Sequence, residues 1–249
     1  RGSTIPIIAK IENRAGVANL ESIVKAADGI MVARGDLGVE LPLAEVPSTQ
    51  KKLIRATVSQ GKPVITATQM LATMETNPKP TRAEASDVAN AILDGTSAVM
   101  LSGETAVGKY PLQAIQTMAA IAIRAEASLS EYGYLQTISL ATTNKVAEAV
   151  GQAAARLAEQ LKASAIITLT DSGFTARLIS KHRPECSIIA VTDSKTVALR
   201  LAMNWGVVPL LCDPKTAATD DARTAFACAK AVELGYLNFE DTVVVTHGT

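Results

Sequence analysis

Four stretches decide the fold: Ile7-Ile8-Ala9-Lys10-Ile11-Glu12-Asn13, Ile30-Met31-Val32-Ala33-Arg34-Gly35-Asp36, Val64-Ile65-Thr66-Ala67-Thr68-Gln69 and Val99-Met100-Leu101-Ser102-Gly103-Glu104-Thr105. Each is a short apolar run that ends in polar residues. Such runs read as buried parallel strands whose C-terminal ends carry the functional groups, which is how an α/β barrel or a doubly wound sheet presents an active site. Residues i and i+2 of a strand share a face, so Lys10 is paired with Glu12, Arg34 with Asp36 and Thr66 with Thr68. Two carboxylates, a lysine and hydroxyls on one rim point to a metal and an anionic substrate.

Working outward, helices are expected between these strands: around 18–25, over 47–60 with Gly61 as the stop, over 82–94 with Gly95 as the stop, and from Pro111 to about 129. Thr81-Arg82-Ala83-Glu84 reads as a capping box that opens the third of them. Residues 129–143 lack clear periodicity, and the domain border is placed near 135–141. Beyond it, Val146, Val150, Ala153, Leu157 and Leu161 form a stripe at helical spacing. Strands are then expected at 165–169, 187–191, 207–211 and 242–245, alternating with helices at 175–182, 196–205 and 222–234. This predicts a second, open and mostly parallel α/β sheet.

Composition agrees. The 249 residues are 48% hydrophobic but only 3% aromatic, which suits parallel sheets covered by helices. A formal net charge of zero removes the electrostatic case for nucleic acid or a membrane surface. No apolar run reaches the roughly 18 residues of a membrane span. Cys186, Cys212 and Cys228 are odd in number and never spaced as CxxC, so they read as reduced thiols of an intracellular protein. The chain opens without Met, close to a core strand, and stops just after Val243-Val244-Val245, which predicts truncation at both ends.

Several features carry chemistry. Lys10 with Glu12 alone reads as a same-face ion pair. Asp36, at the end of the neighbouring strand, turns the group into an oxygen-rich site suited to Mg²⁺ or Mn²⁺. Lys10 could neutralise a phosphate or enolate oxygen there. Gly35 lets backbone amides approach a carboxylate, while Arg34 either contacts the ligand or buttresses the carboxylates. Thr68 owes its candidacy to its place at a strand end; Thr57 and Thr66 compete with it. Gly103 to Tyr110 matches a phosphate-binding loop except at its last position, where Tyr110 cannot supply the hydroxyl that holds magnesium. It therefore reads as an ordinary strand-to-helix link. In the second region Thr170, Ser172 and Thr175 join a strand to a helix, either as an anion site or as a capped turn. His182 and His247 read as structural or exposed.

Ile-Ala-Lys10-Ile-Glu12-Asn, Met-Val-Ala-Arg34-Gly35-Asp36-Leu-Gly, Ala-Thr68-Gln-Met-Leu, Pro-Thr-Arg82-Ala-Glu-Ala-Ser-Asp87-Val-Ala-Asn and Met-Leu-Ser102-Gly-Glu104-Thr-Ala closely resemble pyruvate kinase, densely over residues 5–126 and more loosely beyond. The resemblance implies half of a (β/α)₈ barrel, strands five to eight, over residues 1–135. An α/β regulatory domain over 141–249 follows. It implies phosphoryl transfer from phosphoenolpyruvate to ADP, giving pyruvate and ATP, with Mg²⁺ (or Mn²⁺) and K⁺. Glu12 and Asp36 resemble the metal ligands, Lys10 the cation that stabilises the transferring group, and the Gly35 amide and Thr68 hydroxyl the grip on the substrate carboxylate. The potassium and nucleotide ligands would lie outside this chain, so it is expected to be incompetent alone and to need a complementary half. A sugar-phosphate effector at Thr170, Ser172 and Thr175, a homotetramer and a cytoplasmic location (an organellar one stays open) are further implications. Asp171, an acid beside a phosphate, weighs against a bisphosphate. Two alternatives stand beside this reading: another Mg²⁺-enolate barrel enzyme such as a lyase, and a non-catalytic fragment for assembly or effector binding.

Overall fold

The structure is a computed structural model of the 249-residue chain and describes residues 5–132 and 144–247. The chain forms two compact units, residues 1–139 and 140–249. The expected border at 135–141 lies outside the described residues.

The first unit runs β1 (Ile8–Ile11), α1 (Arg14–Ala18), α2 (Leu20–Ala26), β2 (Gly29–Ala33), α3 (Arg34–Glu40), α4 (Val46–Val58), β3 (Val64–Ala67), α5 (Arg82–Leu93), β4 (Ala98–Met100), α6 (Gly103–Ala106), α7 (Pro111–Glu126) and α8 (Leu129–Tyr132). Its four strands are parallel and hydrogen-bonded in sequence order. Local signals set the helix ends. The side chain of Thr81 accepts from the Glu84 amide and that of Glu84 from the Thr81 amide, the expected capping box. Gly61 and Gly95 end their helices at φ +66° and +92°, a backbone region that favours glycine.

Register shows how this sheet is used. Ile11, Val32, Thr66 and Val99 align across the four strands, as do Lys10, Met31, Ile65 and Ala98. On the first row's face, Ile11, Val32, Ile30 and Val64 pack with Leu20, Val24, Leu53 and Ile54 of the helices. On the second row's face, Met31, Ile65 and Ala98 stay half-buried and Lys10 exposed. Among the described residues, one side of the sheet is therefore covered by helices and the other is not.

The second unit runs α9 (Lys145–Leu161), β5 (Ala165–Leu169), α10 (Phe174–Lys181), β6 (Ser187–Thr192), α11 (Lys195–Leu201), β7 (Val207–Leu211), α12 (Asp220–Glu233) and β8 (Val243–Thr246). Its strands are also all parallel, in the order β7-β6-β5-β8. Ile166, Ile188 and Ala190 pack under α9, α10 and α11 through Ala154, Ala158, Ala176, Ile179 and Leu201. Ala165, Ile167, Ile189 and Val191 pack on the other face under Ala227 and Ala231 of α12. Both faces are covered, and every residue of β5 is buried.

The stripe on α9 faces outward: Val146 and Leu161 are 75% and 53% exposed, and Val150 and Leu157 are exposed as well. The buried face is Glu148, Gly151, Ala154, Ala155 and Ala158. Small residues allow a close approach, and a Cβ on Gly151 would stand 3.2 Å from Leu178 Cβ of α10. That tight face also encloses an ion pair, Lys181 Nζ to Glu148 Oε1 at 2.6 Å, with the two side chains 0% and 1% exposed.

Candidate active site at the strand ends of the first unit

The candidate site lies where β1, β2 and β3 end. Lys10 points to the uncovered side of the sheet, and Glu12 follows it two residues on. The Lys10 ammonium donates to Asp36 Oδ2 at 2.7 Å and also contacts Glu12 Oε2. All three side chains are about half exposed. Hydrogen bonding to Asp36 first, and to Glu12 next, holds the Lys10 ammonium well above its ordinary pKa. The same bond from Lys10 holds the Asp36 carboxyl below the usual carboxylate range. Two carboxyl groups thus meet at one cation, and Lys10 occupies the point between them.

The expected pairing of Arg34 with Asp36 on one strand face does not occur. β2 ends at Ala33, and Arg34 opens α3, where residues two apart do not face each other. Asp36 turns out to Lys10, whereas Arg34 turns in and is only 9% exposed. Its NH1 donates to Asp87 Oδ1 and Oδ2 at 2.8 and 2.6 Å. Its Nε donates to the carbonyl of Ala67 at 3.3 Å, and NH2 to those of Thr68 and Gln69 at 2.6 and 3.2 Å. Thr66 and Thr68 also part company. Thr66 is buried under the helices and donates to Thr96 Oγ1 at 2.9 Å, while Thr68 lies past the strand end.

Thr68 and Gln69 have φ of +67° and +52°. For a β-branched residue this is a true outlier, and such positions cost of order 1–3 kcal/mol each. The carbonyls held by Arg34 are those of this turn, and charge-assisted hydrogen bonds of about 1.5–3 kcal/mol can offset that strain. The turn puts Thr68 Oγ1 2.8 Å from the Gly35 amide, which donates to it. A Cβ on Gly35 would make only ordinary contact with Thr68, at 3.5 Å or more. Packing within this unit therefore does not require glycine there.

Two acidic residues that the sequence reading left without a role belong to the frame. Asp87 clamps Arg34 from α5. Glu104, 2% exposed, accepts from the amides of Leu71 and Ser102 at 3.0 and 2.8 Å, tying the β4 end to the segment after Thr68. Their signals were present, a capped helix and a strand-end acid, but nothing local gave their partners. The 103–110 loop is no phosphate cradle: the amides of Thr105 to Gly108 donate to the carbonyls of Ser102 and Gly103.

In the second unit, Thr170 Oγ1 accepts from the Gly173 amide at 2.9 Å and Ser172 Oγ from the Phe174 amide at 3.4 Å. Thr175 lies in the first turn of α10. Exposed Asp171 stands 3.7 Å from Arg223 NH1. His182 Nε2 is 3.4 Å from Glu148, and burial lowers its pKa; His247 is 3.3 Å from Asp220. The three cysteines are free. Among the described residues no cluster of three or more His, Cys, Asp or Glu could hold a metal, and no helix is long and apolar enough to cross a membrane.

Comparison with known proteins gives these positions a family. The model of the pyruvate kinase barrel domain matches residues 1–115, and that of the pyruvate kinase alpha/beta domain matches residues 148–249. The chain is 49% identical over 247 residues to a pyruvate kinase of Sporosarcina psychrophila, covering 99% of this chain and 42% of that protein. It is 49% identical to one of Clostridium acetobutylicum, over 99% of this chain and 52% of that protein. A crystal structure of a pyruvate kinase from Cryptosporidium parvum superposes with a TM-score of 0.93 at 42% identity, over 99% of this chain and 50% of the other. The chain thus spans about half the length of the relatives it matches. With both of its units matched by that family's models, the chain belongs to the pyruvate kinase family.

Proposed function

We propose that the four strands of the first unit are strands five to eight of a (β/α)₈ barrel and carry the metal- and substrate-binding half of a pyruvate kinase site, which moves a phosphoryl group from phosphoenolpyruvate to ADP. The observation that carries this is the uncovered row Lys10, Met31, Ile65 and Ala98. An apolar sheet face with a charged end, helices on the opposite face only, and strands in sequence order are what part of a closed barrel requires. Closure would bury Met31, Ile65 and Ala98 and leave the strand ends at the mouth.

The residues fit a divalent cation. Glu12, just past β1, and Asp36, in the first turn of α3 after β2, supply hard oxygen donors, and the ammonium of Lys10 already lies between them. When bound, Mg²⁺ or Mn²⁺ would neutralise charge on substrate oxygens. Lys10 then offers its ammonium to the transferring phosphoryl group and to the enolate oxygen that loses it. The Gly35 amide and Thr68 hydroxyl, bonded to each other here, would both turn to the substrate carboxylate. Arg34 acts beneath that grip. Potassium and nucleotide groups belong, in this reading, to the complementary half.

A sugar-phosphate effector is assigned to the Thr170–Thr175 turn. The sheet order reverses between β5 and β8, and ligands of open α/β sheets bind where that happens. A homo-oligomer and a cytoplasmic location go with the same reading, and the outward stripe of α9 supports self-association.

The test is to co-express this chain with the N-terminal half of the Clostridium acetobutylicum relative and follow pyruvate. Pyruvate that forms only with phosphoenolpyruvate, ADP and Mg²⁺ together is expected. Pyruvate formed without ADP would favour a lyase, and none at all would favour a non-catalytic role.

A further inference from the structure

The least expected geometry in the molecule is the turn after β3. Thr68 and Gln69 are the only consecutive non-glycine residues at positive φ among the described residues. All three carbonyls of this turn, those of Ala67, Thr68 and Gln69, accept from one buried guanidinium, that of Arg34. Arg34 is in turn gripped on its other edge by both oxygens of Asp87, 53 residues along the chain on a different helix. The product of this chain of bonds is one contact, Thr68 Oγ1 to the amide of Gly35.

That contact is diagnostic because of where Gly35 sits. It is in the first turn of α3, where backbone amides have no partner within their own helix. Its hydrogen bond therefore depends on Thr68, and Thr68 depends on the turn.

We infer that Asp87 is a positioning residue: acting through Arg34, it holds the left-handed Thr68–Gln69 turn, and so sets the Thr68 hydroxyl against the Gly35 amide. Asp87 touches neither the carboxylate pair nor Lys10 in the structure. Its importance for substrate rests on the reading above that Thr68 and Gly35 grip a carboxylate. Its effect on their geometry does not.

A residue that merely ties α5 to the sheet would, when lost, loosen the whole unit. A positioning residue loosens one contact. Asp87→Asn keeps the size of the side chain but removes the charge that holds Arg34. Amide hydrogen exchange in this chain reads the difference. Asp87→Asn and Thr68→Val should each speed exchange of the Gly35 amide at least tenfold, and the double variant should be no faster than Thr68→Val. The amide of Ile30, which donates to Pro63 in the same unit, should stay within twofold. Asp87→Glu, which restores the carboxylate, should return much of the Gly35 protection. Gly35 exchange within twofold of the parent in Asp87→Asn overturns the inference. So does a loss of protection shared equally by Ile30.

The second arm is binding of Mn²⁺ and of phosphoenolpyruvate in the presence of Mn²⁺ to the co-expressed halves. Asp87→Asn should leave the Mn²⁺ affinity within twofold and weaken phosphoenolpyruvate at least tenfold, with no further loss in a Thr68→Val background. Additive losses in the double variant would mean that Asp87 acts by another route, and would overturn it. Should the parent fail to bind phosphoenolpyruvate while Gly35 still responds to Asp87→Asn, the functional reading falls and the positioning role stands.

Discussion

Among the described residues both units contain four parallel strands, yet one sheet is covered on a single face and the other on both. In the first, each new strand is added on the same edge, so every right-handed crossover lays its helices on the same side. The opposite face keeps Met31, Ile65 and Ala98 half-buried. In the second, β8 returns to the far side of β5 and the crossovers split, with α9, α10 and α11 on one face and α12 on the other. Strand order thus goes with how each sheet is covered. Among the described residues the second sheet is covered on both faces and the first on one. The chemistry follows the same divide: the sheet covered on one face ends in Lys10, Glu12, Asp36 and Thr68, the other in hydroxyls bonded to their own turn.

The comparison can be broken at several points. The largest effect should come from Lys10→Met in the co-expressed enzyme. Loss of the charge proposed to stabilise the transition state should lower turnover at least ~10²–10³-fold with the fold retained. Residual activity within about tenfold of the parent, by the pyruvate assay, would remove Lys10 from its role. Next comes the second unit's own dependence on buried charge. Glu148→Gln removes the carboxylate paired with the buried Lys181 ammonium, and breaking such a pair costs ~3–5 kcal/mol. Calorimetry should show the transition of residues 144–247 falling by more than about 10 °C.

In the first unit, Gly29→Ala would set a Cβ 2.6 Å from Ile8 Cδ1 and 2.8 Å from the carbonyl of Pro63. Overpacking of that kind costs ~1–3 kcal/mol, measurable by urea unfolding, and would push β1 and β2 apart. Thr81→Ala should cost about 1 kcal/mol by loss of its cap, read in the same way. The smallest effect is with pH. Burial raises the Glu84 pKa, but the amides of Thr73 and Thr81 outweigh it and leave the carboxyl below its ordinary value. A depressed carboxylate adds stability that is complete above the unfolded value, about 4.3, and is lost as pH falls through the folded one. Glu84→Gln should therefore flatten the loss of first-unit stability below about pH 4.3, with the second unit unchanged.

Much of this was legible in the residues. The four apolar runs became the four strands of the first sheet, and the Thr81–Glu84 box and the glycine stops fell as expected, because caps and turns depend on atoms within a few residues. Lys10 and Glu12 met, one near the end of β1 and the other just past it. The rule that i and i+2 share a strand face misled at Arg34 and Thr66, where the chain had left the strand or stood on the other side of the sheet. The α9 stripe shows a second limit. A period of 3.6 reveals that apolar residues share a face, but the face chosen for the core was the one with Gly151 and alanines, since small residues let two helices approach closely. Glu148 and Lys181, charged and remote in sequence, carried no sign that they would be buried together.

Residue types and short spacings were enough to set the alternation of strand and helix, the helix ends, the placing of polar groups at strand ends and the family resemblance, since each depends on local covalent and hydrogen-bonding geometry. Which side of each sheet is covered, which way Arg34 turns, and that Asp87 grips Arg34 from 53 residues along the chain were settled by packing. Those outcomes depend on strand order and on contacts between distant segments, and a one-dimensional pattern does not contain them.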